Sequence, residues 1–133
     1  MWELGDIEKS LTLWDSVDME NAGRFTALVE RIKKFSADRD WSQFHDPKNL
    51  AISLNLEASE VLELYQWTKD NQLKPERAEK INEELADVFY WLILLSNYYS
   101  IDLVEALDKK MDQNEQKYPV EKARGKSDKY NEL

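Results

Sequence analysis

From Arg24 onward, apolar residues recur as Phe25, Leu28, Val29, Ile32 and Phe35, the i, i+3, i+4, i+7 stripe of an amphipathic helix. This predicts a first helix ending near Asp38 to Asp40. A linker from Arg39 to His45 carries Trp41 and Phe44. Asp46-Pro47 then supplies an N-cap acceptor followed by proline at the first helical position. The second helix is predicted from Pro47 to about Lys69, with Leu50, Leu54, Val61 and Leu64 on its inward stripe. Asn71 to Lys74 read as a polar turn. Pro75 opens a third helix through Ile81, Leu85, Val88, Leu92 and Leu95, which stops around Tyr99 to Ile101. Asp102, with Glu105 three residues on, is a capping box with Asp in place of Ser or Thr. It starts a fourth helix through Leu103, Leu107 and Met111 to about Tyr118, where Pro119 stops it.

No run of alternating β-branched residues bounded by turn pairs occurs, so the expected class is all-α, a bundle of four helices. Residues 1–23 mix apolar and acidic positions without a firm period and read as an extension ended by Gly23; residues 24–133 form the expected domain. The third helix is more apolar than one face requires, because Phe89, Tyr90, Trp91, Ile93, Leu94 and Tyr98 widen its stripe. In so short a chain the extra faces are expected to meet another subunit.

Composition narrows the chemistry. The chain has 133 residues and a net charge of −9, lacks cysteine and has one histidine, His45. A domain of this size buries roughly two-thirds of its extended surface and needs no staple. Thiol catalysis, cysteine-held zinc, iron–sulfur clusters and His-rich metal sites are excluded. None of the three glycines sits in a strand–turn–helix phosphate cradle. The acidic balance argues against a nucleic-acid polymer as partner. The strongly apolar stretch from Val88 to Leu95 falls far short of the about 20 residues that span a bilayer, so no membrane partner is expected. The start, with acids at Glu3, Asp6 and Glu8, lacks the order of a signal peptide, and a cytoplasmic product is expected.

Against this background, several acids stand on the wrong face. Glu57 falls in the centre of the second helix's stripe, three after Leu54 and four before Val61, and Glu60 borders the same face. Side chains at that spacing lie about 5–6 Å apart at Cβ. The third helix repeats the arrangement with Glu84, between Ile81 and Val88, and Asp87. Burying such a group without a cation is costly. All-oxygen ligands suit Mg²⁺, with Mn²⁺ also admissible, and a phosphate-bearing substrate is the usual further ligand. The plainer alternative is a helical scaffold in which these acids form ion pairs with Lys or Arg. Di-iron bundles need Glu-x-x-His on two helices, which a single His45 before the second helix cannot supply. Glu63 and Glu83 adjoin the pairs, as proton acceptors or as solvated surface acids.

The blocks Arg39-Asp40-Trp41-x-x-Phe44-His45-x-Pro47-x-Asn49-Leu50, Glu57-x-x-Glu60-x-x-Glu63-Leu64-x-Gln66-Trp67, Glu83-Glu84-Leu85-Ala86-Asp87-Val88 and Lys110-Met111-x-x-Asn114-x-x-Lys117-Tyr118-Pro119 together resemble the MazG-like, all-α nucleotide pyrophosphohydrolases, nearest their dCTP pyrophosphatase branch. The tail Lys122-x-Arg124-Gly125-x-x-x-Lys129-Tyr130 continues the similarity. The resemblance implies a homotetrameric MazG-like bundle. Its implied activity is hydrolysis of a nucleoside triphosphate, dCTP or a modified dCTP, to the monophosphate and pyrophosphate, removing unwanted nucleotides. A broader activity on dUTP, dTTP or dATP is the alternative. Glu57, Glu60, Glu84 and Asp87 match the family's Mg²⁺ ligands, and Glu63 or Glu83 would take the proton of the attacking water. Lys110, Asn114 and Tyr118, at i, i+4 and i+8 on one face of the fourth helix, match its phosphate and sugar contacts. Lys122 and Arg124 would close over the triphosphate.

Trp67 and Trp91 each follow an acid, Glu60 and Glu84, by seven residues on nearly the same helical face. Two turns amount to roughly 10 Å, a reasonable distance between phosphates and a base. The resemblance assigns Trp67 to base stacking and Trp41, His45 and Trp91 to the same pocket, Trp91 standing where relatives often have tyrosine. Ile32 stands where the dCTP-preferring branch carries a histidine that helps recognise the base. A pocket built around an apolar residue discriminates more weakly than one built on hydrogen bonds.

Overall fold

A computed structural model describes residues 20–69, 73 and 75–132, and every regular element among them is helical. The order is α1 (Glu20–Ala37), a 3₁₀ turn (Trp41–Phe44), α2 (Pro47–Glu63), α3 (Pro75–Ala78), α4 (Lys80–Tyr98), α5 (Leu103–Lys117) and α6 (Val120–Ala123). Most of the expected N-terminal extension, and all of the expected polar turn at 71–74 except Leu73, lie outside the described residues. The chain divides after Leu94 into two compact units.

In the first unit the predicted caps hold. Asp46 accepts a hydrogen bond from the Asn49 amide at 2.9 Å, and its other oxygen takes the Asn49 side-chain amide at 2.6 Å, with Pro47 at the first helical position. Three elements differ from expectation. α1 begins by Glu20, so Gly23 lies within a helix rather than ending the extension; a helical glycine costs about 1 kcal/mol relative to alanine and is tolerated. α2 ends at Glu63, not Lys69. Beyond it the chain tightens through Tyr65 N–H to Leu62 and Gln66 N–H to Glu63 carbonyls, at 3.1 and 3.0 Å, and Trp67 then turns left-handed, with φ 66°. The predicted third helix is two, parted at Glu79.

The core of this unit is thin. Leu50 and Ile93 are fully buried, and Ile32, Leu64 and Leu94 nearly so. α1 meets α4 through Phe25–Phe89 and Phe35–Tyr90, whose ring centroids lie 6.2 and 6.4 Å apart. Ser36 and the Tyr90 hydroxyl share a hydrogen bond at 3.4 Å. Leu85, Phe89 and Leu92 of α4 remain exposed.

The second unit starts with the end of α4. Asp102 caps α5 by accepting from the amides of Val104 and Glu105, both at 3.0 Å, as its spacing predicts. Pro119 ends α5 and itself caps the short α6. Tyr118 and Tyr130 meet edge to face at 6.2 Å, and the Lys117 ammonium lies 5.1 Å from the Tyr130 ring centre. No helix among the described residues is long and apolar enough to cross a membrane.

Candidate metal centre and adjoining pocket

α2 carries Glu57 and Glu60 one turn apart, and α4 brings Glu84 against them. One carboxylate oxygen from each of the three lies within 4.8 Å of the others. Glu57 and Glu84 are half-buried and Glu60 is exposed. Burial holds the Glu84 carboxyl above its ordinary pKa, reinforced by the charges of Glu60, Asp87 and Glu57 and opposed by Lys80. Among the described residues, no lysine or arginine forms an ion pair with any of the three; the ion pairs present join Lys33–Glu30, Lys34–Asp38 and Lys109–Glu105. Three converging carboxylates that no described lysine or arginine ion-pairs are the donor set a hard divalent cation takes.

Asp87 lies outside this trio. Its charge still acts on Glu84, and Asp87, exposed, lines with Glu57 a cavity of about 520 Å³ whose other walls include Ile32, Phe35, Trp41 and Trp91. Beside it, Trp41, Phe44, His45, Asn49 and Trp91 line a second cavity of about 350 Å³. His45 and Trp91 meet edge to face there, 5.9 Å between centroids. The structure thus gathers Trp41, His45 and Trp91 around aromatic space next to Glu57, and Ile32 into the same wall.

Glu63 shares a cavity of about 370 Å³ with Glu60 and Glu84, whereas Glu83 is exposed and not part of the trio. The expected helical placement of Trp67 is corrected. Because α2 ends at Glu63, Trp67 does not share a helical face with Glu60; it sits in the following turn, 88% exposed. In the second unit, Lys110 and Asn114 stand on α5, Tyr118 caps that helix, Lys122 stands on α6 and Arg124 caps it.

Two contacts at the first unit's site have no local sequence signal. The Trp91 indole N–H donates to Glu57 Oε1 at 3.1 Å, and the Arg77 guanidinium donates to the Leu64 and Gln66 carbonyls at 2.9 and 3.1 Å, pinning the turn that carries Trp67. Each joins residues on different helices or turns, which periodicity along one segment does not register.

Residues 52–133 match the profile of the MazG-like family. A mouse protein named dCTP pyrophosphatase 1 is 43% identical over 75% of this chain and 62% of its own length; this chain thus spans under two-thirds of that relative. The human protein of the same name is 43% identical over 87% of this chain and 76% of its own. A pyrophosphatase crystal structure from Archaeoglobus fulgidus superposes with a TM-score of 0.67 at 37% identity, covering 72% of this chain and 93% of that one. The all-helical fold agrees with these likenesses, and the chain belongs to the MazG-like family.

Proposed function

We propose that this protein is a Mg²⁺-dependent nucleoside triphosphate pyrophosphohydrolase that cleaves dCTP or a modified dCTP to the monophosphate and pyrophosphate, clearing unwanted nucleotides from an intracellular pool. The observation that carries the reading is the acid trio, without an ion pair among the described residues, opening beside aromatic cavities. The names of the mouse, human and archaeal relatives support it.

Glu57, Glu60 and Glu84, with Asp87 on the adjoining wall, would hold the cation. Bound there, Mg²⁺ supplies positive charge to phosphate oxygens and lowers the pKa of water. Trp41, His45 and Trp91 wall the space for the base, with Trp67 as a stacking ring. Glu63, or Glu83, accepts the proton as water adds to phosphorus and the bridging oxygen between the α- and β-phosphates leaves with pyrophosphate. Lys110 and Arg124 neutralise phosphate charge with Lys122, while Asn114 and Tyr118 donate hydrogen bonds to phosphate and sugar. The protein acts as a homotetramer; the exposed apolar residues of α4 and α5 favour assembly.

A second reading, broader action on dUTP, dTTP or dATP, is favoured by Ile32, which offers the cavity wall no hydrogen bond for the base. Product analysis across the dNTPs and 5-methyl-dCTP, with and without Mg²⁺, separates these readings. Mg²⁺-dependent pyrophosphate release confined to cytosine nucleotides supports the first, and release from several bases the second. No release from any would refute both.

A further inference from the structure

Among the described residues, the Glu57 carboxylate is met by one side-chain donor, and that donor is an aromatic ring. The Trp91 indole N–H reaches Oε1 at 3.1 Å. An indole nitrogen donates and cannot accept, so the bond fixes one carboxylate oxygen while leaving the other, and spare lone pairs of the first, for a cation. Such a bond to an ionised oxygen is stronger than one between neutral groups. The ring is itself held: Tyr90 meets it edge to face at 5.1 Å and His45 at 5.9 Å. It also lines both the 350 Å³ and the 520 Å³ cavities. Glu57 and Trp91 are both half-buried, which limits competition from water for the bond.

We infer that Trp91 is a positioning residue for the metal centre: its N–H aims the Glu57 carboxylate at the cation while its ring walls the aromatic pocket, so one side chain joins cation binding to base binding. Groups that orient a ligand from behind typically change metal affinity by about 10–100-fold when removed. Because the same ring touches both sites, occupancy of the pocket and of the metal centre must also influence each other equally in both directions.

The inference rests on the metal reading above, and the test separates the two. Mn²⁺ affinity is measured on the full chain without nucleotide by electron paramagnetic resonance. Trp91→Phe, which keeps a ring and deletes the N–H, is expected to bind Mn²⁺ about ten-fold more weakly. Trp41→Phe, altering the same pocket without touching an acid, is expected to bind as the parent does. Equal affinity in Trp91→Phe and the parent would overturn the positioning role, and absence of Mn²⁺ binding by the parent would overturn both readings. Should Trp91→Phe not fold, the indole N–H resonances of the five tryptophans in the parent serve instead. The Trp91 signal is expected to shift most on adding Mg²⁺, and a stationary Trp91 signal in a metal-loaded protein would dismiss the role.

Discussion

Glu84 shows most directly what an acid costs on an inward helical face. Its carboxyl titrates above the ordinary 4.5 because of burial first and neighbouring acids second. The folded chain therefore holds that proton more tightly than the unfolded chain, so ionised Glu84 opposes folding above its raised pKa, and the penalty disappears below 4.5. In EDTA at pH 7, Glu84→Gln should melt at a higher temperature than the parent, with the gap closing as pH falls through the raised pKa towards 4.5. Adding Mg²⁺ at pH 7 should raise the parent's Tm and leave the variant's nearly unchanged. A gap independent of pH would remove Glu84 from the crowded trio. Trp67 presents a different residue-scale cost, a bulky side chain at φ 66°. Trp67→Gly relieves a left-handed backbone worth about 1–2 kcal/mol, so it should not lower stability, while KM for the nucleotide rises if the ring stacks on the base. A fall in Tm with KM intact would make Trp67 structural.

At the scale of elements, the starts of α2 and α5 are each held by an aspartate cap. Asp46→Ala removes the cap of α2, the helix that carries Glu57 and Glu60, and should cost about 1 kcal/mol, read as a lower denaturation midpoint. An unchanged midpoint would mean Pro47 alone sets the start. These caps and the apolar stripes were legible because they are encoded within four residues of one another. The end of α2 was not. Leu64 continues the stripe, yet the chain tightens and turns there, with Arg77 from α3 bonding the Leu64 and Gln66 carbonyls, a partner eleven to thirteen residues away. For the same reason the acids of the site were readable from spacing, while their grouping was only partly so. Glu57, Glu60 and Glu84 converge, while Asp87 lines the neighbouring cavity, a difference that spacing along one helix does not register.

At the scale of the whole molecule, a chain of 15.8 kDa leaves much apolar surface uncovered. Val104, Leu107 and Met111 repeat at helical spacing on α5 and are 64%, 62% and 47% exposed. That stripe can be made polar at little cost to the single chain. If the proposed tetramer forms through this stripe, Leu107→Asp should lower the mass measured by light scattering below the parent's while keeping the helical signal. A mass unaffected by the change would place the contact elsewhere.

The carboxylate trio, which no described lysine or arginine ion-pairs, has a consequence for selectivity. Charge alone does not tell magnesium from calcium, since both seek oxygen and differ chiefly in size and in the coordination number they demand. An exposed Glu60 at the rim leaves room for the larger ion's extra waters. Calcium should therefore occupy the same seat as an unproductive competitor, and raising it at fixed magnesium should slow turnover in a way that more magnesium reverses.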